Sequence, residues 1–172
     1  MKDDRRMTAT NSLLHRTRVA VPLESRERLI ALLNATLATA LDFKTQIKQA
    51  HWNVAGPHFI ALHEFFDTLA AEAEAAVDLV AERVLQLGGT ALGTAKVAAE
   101  RSILGEYPHH AVDGKQHIEA LAERMAIFAN HLREQIDESA KLGDQATADI
   151  YTELCRASDK SLWMLEAHLR TA

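Results

Sequence analysis

Between His51 and Glu82 the chain reads HWNVAGPHFIALHEFFDTLAAEAEAAVDLVAE, and this stretch limits what the rest can become. From Phe59 to about Leu87 no glycine or proline interrupts it, so one long helix is expected. That helix carries His63, Asp67, Asp78 and Glu82, and His51 stands just before the Gly56-Pro57 break. All five side chains suit a metal such as iron. His63 and Asp67 are i,i+4 neighbours on one face, as are Asp78 and Glu82. Eleven steps of about 100° bring Asp78 to within about 20° of Asp67, so one side of the helix bears a metal-competent stripe.

Within a single chain the two pairs cannot serve one ion, because eleven residues rise about 16 Å along a helix. The spacing offers a solution. Positions 63 and 82 share the midpoint 72.5 with positions 67 and 78. Two copies crossing antiparallel on a two-fold axis would set 63 against 82 and 67 against 78, giving two identical sites. Ala70, Ala71, Ala73, Ala75 and Ala76 stand at the expected crossing, where small residues permit close approach. The turn after the first helix would return the chain antiparallel and place His51 level with residues 61–63, beside His63.

The segments Asp78-Leu79-Val80-Ala81-Glu82-Arg83 with Gly88-Gly89, and Lys48-Gln49-Ala50-His51-Trp52-Asn53, resemble the Dps family of mini-ferritins. Tyr107-Pro108, Thr147-Ala148-Asp149-Ile150 and Asp159-Lys160-Ser161-Leu162-Trp163 extend the resemblance, which runs from about residue 25 to the C-terminal end. It implies ferroxidase ligands at His51, His63 and Asp67 of one subunit and at Asp78 and Glu82 of its two-fold mate. It also implies a hollow dodecamer that oxidises Fe(II), preferentially with hydrogen peroxide, and stores the ferric product. Peroxide would be reduced to water without release of hydroxyl radical. Trp52 would be a readily oxidised neighbour of the iron, whereas the residue alone favours core packing. Taken without the family, the ligand set also admits zinc, manganese or cobalt.

A chain of 172 residues with 48% hydrophobic residues but only 7 Gly and 3 Pro fits one all-α domain. The expected architecture is a ferritin-like four-helix bundle over residues 23–172, preceded by a flexible basic tail at 1–22. The first helix would start after Pro22, with Ser25 as N-cap, and bury Leu29, Leu32, Leu33, Leu37, Leu41 and Phe43. The second would stop at Gly88-Gly89. A long connection follows, with a short helix at 94–101, and then helices at about 113–141 and 144–169. Ile118, Leu121, Met125, Phe128, Leu132 and Ile136 form the apolar side of the third long helix, and Ile150, Leu154, Leu162 and Leu165 that of the last. Glu106-Tyr107-Pro108-His109 matches the Glu-x-x-His pattern of di-iron bundles, but Pro108 interrupts it and no second copy exists. His15, His58, His109, His110, His117, His131 and His168 are expected to be surface or packing residues.

Two further groups carry functional expectations. Asp144, Asp149 and Glu153 open the last helix, where acidic residues commonly serve the helix dipole and Asp144 can be an N-cap. The family resemblance offers another role, in which carboxylates here line pores that attract Fe(II). In residues 1–20, Lys2, Arg5, Arg6, Arg16 and Arg18 face only Asp3 and Asp4, a surplus of three positive charges. With the chain at −5 overall, the remainder carries −8. Such an arm can touch DNA phosphates, with avidity from many copies, or simply keep the terminus soluble. The alternative to an iron oxidase is therefore a DNA-shielding nucleoid particle, and the plainest reading is a structural bundle with a solvated acidic stripe. The single cysteine, Cys155, and the absence of a signal peptide or a membrane-length apolar run point to the cytoplasm.

Overall fold

The computed structural model describes residues 14–170. Five helices follow in order: α1 (Leu23–Asn53), α2 (Phe59–Gln86), α3 (Ala95–Arg101), α4 (Gly114–Lys141) and α5 (Gln145–Ala167). The expected all-α ferritin-like bundle is what forms. α1 packs along α2 and α4 along α5, and the short α3 lies on α1. Among the described residues the β-structure is a single isolated bridge between Ala55 and Asp113, which ties the α1–α2 turn to the start of α4.

Local chemistry sets most of the boundaries. The Thr94, Asp113 and Asp144 side chains accept from the backbone three residues on and cap α3, α4 and α5; Asp113 and Gln116 complete a capping box. Gly88 and Gly143, at φ +84° and +82°, end α2 and α4 in the left-handed region. The expected Ser25 cap is corrected: Ser25 lies inside α1, and Pro22 is the N-cap. The Arg26 N–H already closes the first turn on the Pro22 carbonyl at 2.9 Å, so Ser25 comes too late to cap anything.

The core runs the length of the bundle. Leu29, Leu33, Leu37, Phe43 and Ile47 of α1 meet Phe66, Leu69, Val80 and Val84 of α2, with Leu121, Phe128, Leu132, Tyr151 and Leu165 opposite. Each fully buried leucine contributes about 2 kcal/mol. Leu32, Leu41, Ile136, Ile150 and Leu162, expected inside, are only half-buried. They sit at the edge of each apolar stripe, where one copy of the chain leaves a flank uncovered.

The N-terminal boundary also moves. Residues 14–22 are not helical, as expected, but part of this segment is docked. The His15 N–H donates to the Gly88 carbonyl at 2.6 Å, and Thr17 Oγ1 donates to the Gln86 carbonyl at 3.2 Å. A Cβ on Gly88 would lie 2.5 Å from the His15 carbonyl oxygen, so glycine is required there for space as well as for φ. Lys2, Arg5 and Arg6 lie outside the described residues; Arg16 and Arg18 are exposed.

Candidate metal centre

His51 and His63 meet across the α1–α2 turn as the antiparallel return requires. Their rings stack with centroids 3.7 Å apart. Each Nδ1 lies 2.9 Å from the other residue's backbone carbonyl. A carbonyl only accepts, so each Nδ1 carries a hydrogen, and the lone pair of each neutral ring resides on Nε2. This is the outer-shell arrangement that fixes a ligating histidine's tautomer.

Asp67, one turn beyond His63, is exposed, with Oδ1 3.9 Å from His51 Nδ1. The same oxygen accepts a hydrogen bond from Lys48 Nζ at 2.8 Å. The Lys48 ammonium holds the Asp67 carboxyl below the usual carboxylate range. Lys48 was not singled out from the sequence. Nineteen residues separate it from Asp67, and only the register of α1 against α2 joins them. Lys48→Met is expected to raise the Asp67 pKa towards its ordinary value of 3.8, read from the carboxyl carbon shift across a pH titration.

Asp78 and Glu82 lie farther along α2, both exposed, and do not approach the histidines. Among the described residues no group of three His, Cys, Asp or Glu side chains is placed to hold a metal within the single chain. Between the two acid positions the exposed side of α2 presents Ala71 and Ala75. Ala70 and Ala76, also expected at a crossing, instead face the core, and Ala73 is half-buried. The run of small exposed residues is therefore narrower than the sequence suggested, and it lies between the candidate ligands Asp67 and Asp78.

Trp52 corrects the expectation of core packing. It is 67% exposed, one step round the helix from the inward-facing His51, with Lys48 Nζ 5.9 Å from its ring centroid. Asp144 corrects the pore expectation. It is 4% exposed, and its carboxylate accepts from Arg83 Nη2 at 3.0 and 2.8 Å and from Thr147. Burial would raise its pKa, but the Thr147 and Arg83 hydrogen bonds and the Arg83 charge hold it low. Its charge is consumed inside the subunit. Asp149 and Glu153 are exposed. Glu106 and His109 lie outside the helices, exposed and 3.4 Å apart, so the Glu-x-x-His match never enters the bundle.

Residues 30–172 match the family model for the ferritin-like domain. The chain is 44% identical to the DNA protection during starvation protein of Agrobacterium fabrum, over 91% of this chain and 96% of that one. With the protein of the same name from Brevibacillus brevis the identity is 34%, over 84% and 97%. Among solved structures, Mycobacterium smegmatis Dps superimposes with a TM-score of 0.87 at 27% identity, covering 91% of this chain and 94% of that one. DpsC from Streptomyces coelicolor gives 0.88 at 26%, covering 93% and 94%.

Proposed function

This chain belongs to the Dps family of ferritin-like proteins, and from that premise we propose that it is a ferroxidase and iron store. Membership itself supports a role in iron storage and DNA protection. The finer proposal is that Fe(II) is oxidised, preferentially by hydrogen peroxide, at sites shared between two subunits. The ferric product then collects inside a hollow homo-oligomer, a dodecamer, in the bacterial cytoplasm.

The observation that carries this is the His51–His63 clamp, which leaves the Nε2 lone pair of each ring outside its own hydrogen bonds, with the Asp67 carboxylate one turn beyond His63 and Asp78 and Glu82 exposed on the same helix. His51, His63 and Asp67 would bind iron from one subunit and Asp78 and Glu82 from its mate. Imidazole and carboxylate suit Fe(II), and carboxylate oxygen favours the harder Fe(III) product. Lys48 would give up Asp67 as the cation arrives, since iron replaces the ammonium as its counter-charge. Trp52, exposed beside the site, is proposed as an oxidisable neighbour. Asp149 and Glu153 are proposed to draw cations to the particle.

The test is anaerobic loading with Fe(II) followed by hydrogen peroxide, with ferric absorbance recorded against a protein-free control. Faster ferric formation in the presence of protein is expected. Equal rates would sink the proposal.

A second activity is favoured by the exposure of Arg16 and Arg18 on the arm and by the name of the two relatives, which refers to DNA protection. Non-specific DNA binding through Lys2, Arg5, Arg6, Arg16 and Arg18 would be salt-sensitive and independent of iron.

A further inference from the structure

Tyr107 and His117 have no part in the ligand set, yet they form an enclosed polar pair. Tyr107 lies in the connection before α4 and His117 in the first turn of α4; they are 5% and 1% exposed. Tyr107 Oη is 2.7 Å from His117 Nδ1, and the rings stack at an interplanar angle of 16°. His117 Nε2 is buried with no hydrogen bond of good geometry, although the Asn53 carbonyl lies close enough to favour the protonated ring. The Arg124 guanidinium lies 5.3 Å from the Tyr107 ring centroid and is itself held by Gln46 and by the Glu106 carbonyl. A phenylalanine and a leucine would fill this space without leaving a buried nitrogen unsatisfied, so packing does not account for the pair.

Two features relate the pair to the elements that carry the candidate ligands. The Phe66 ring, one residue before Asp67, meets His117 edge-on with centroids 6.4 Å apart. Tyr107 also shares with Trp52, the residue after His51, the wall of a surface groove of about 530 Å³.

We propose that Tyr107 is a one-electron donor to the iron site and that His117 takes its proton; this rests on the oxidase function above. Reducing peroxide to two waters takes two electrons. A site holding a single Fe(II) supplies one, and the alternative to a second is release of hydroxyl radical. Tyr107 supplies the second. One Fe(II), one peroxide, the Tyr107–His117 pair and two protons from solvent become one Fe(III), two waters, a tyrosyl radical and a protonated His117. The peroxide O–O bond breaks, as does the phenol O–H bond, and a new N–H bond forms at Nδ1. The next Fe(II) returns the electron and His117 returns the proton, which resets the pair and yields a second Fe(III).

The surroundings fit this exchange. Burial, partly offset by Arg124, pushes the Tyr107 phenol up to about 12, so at neutral pH oxidation must expel the proton, and an acceptor waits in hydrogen-bond contact. Burial pushes His117 down, so its ring starts neutral, while the Asn53 carbonyl and Asp113 carboxylate favour the protonated form it must adopt.

The test is peroxide addition to anaerobic protein carrying one Fe(II) per site, with freeze-quench electron paramagnetic resonance, ferric absorbance and spin-trapping on the same samples. The chain has two tyrosines, Tyr107 and Tyr151, so Tyr107→Phe assigns the signal. A tyrosyl signal in the wild type, its absence in Tyr107→Phe, and several-fold more trapped hydroxyl radical in that variant are expected. His117→Gln should slow radical formation and weaken its solvent deuterium isotope effect, which loss of packing alone would not do. Ferric formation without a tyrosyl signal, an unchanged signal in Tyr107→Phe, or equal trapping in both proteins would overturn the donor role alone. No protein-dependent ferric product at any iron loading would overturn the oxidase function first and the donor role with it.

Discussion

Subunits carrying His63→Ala and subunits carrying Asp78→Ala are each expected to lose iron oxidation, and a reassembled mixture is expected to regain about a quarter of it. The reasoning is geometric. In a two-fold dimer each site takes His63 from one chain and Asp78 from the other, so a uniform mutant damages both sites. Random pairing makes about half of the dimers mixed. In each mixed dimer one site collects both lesions, and the other receives wild-type His63 and wild-type Asp78. The loss in each single variant should exceed the roughly 10–100-fold that removing an outer-shell partner costs, since a ligand itself is gone. Ferric absorbance after peroxide addition reads the result. Recovery near a quarter establishes a shared site. No recovery, with reassembly confirmed by size, would mean that the two residues do not meet across an interface.

The second large effect is on stability. Asp144→Asn is expected to destabilise the protein by about 3 kcal/mol or more, because it leaves the Arg83 guanidinium buried without its counter-charge. Asparagine caps helices about as well as aspartate, so the change isolates the charge from the N-cap. At about 2–4 °C per kcal/mol for a chain of this size, the thermal midpoint should fall by roughly 6–12 °C. Adding Arg83→Met should restore much of the loss, since an apolar replacement no longer needs a partner. The pH dependence follows from the low pKa of Asp144 in the folded chain. The unfolded chain takes up this proton more readily than the folded one, so the contribution is full above 3.8 and is lost as pH falls through the lower folded value. Asp144→Asn should flatten that acid limb in melts recorded from neutral pH downwards. An unchanged midpoint at neutral pH would show that the pair contributes nothing net.

The sequence revealed what local chemistry decides and missed what only tertiary register creates. Thr94, Asp113 and Gly88 marked helix ends because their side chains or lack of one act within a few residues. Ser25 misled because a good capping side chain was read without the carbonyl of Pro22, which had already closed the turn. The His51–His63 contact was legible from loop length and antiparallel return alone. Lys48–Asp67 and Arg83–Asp144 were not, since charge pairs 19 and 61 residues apart leave no periodic trace. Trp52 was misplaced because a large aromatic beside a buried helix end looks like core until the helix rotation is known. His117 was passed over as a packing residue. The Asp113 cap placed it one turn into α4, but nothing in the sequence showed that Tyr107 folds back onto it.

The paired bonds between His51 and His63 have a thermodynamic consequence of their own. Two free imidazoles must each surrender rotational freedom to reach a metal, and that loss is charged against affinity. Here each ring is held by the other's main chain, so the ordering is complete when the helices pack. Iron bound there as proposed would meet a preorganised half-site whose binding entropy carries little side-chain penalty. Whatever loosens the α1–α2 turn should weaken iron binding chiefly through entropy, with every ligand still present.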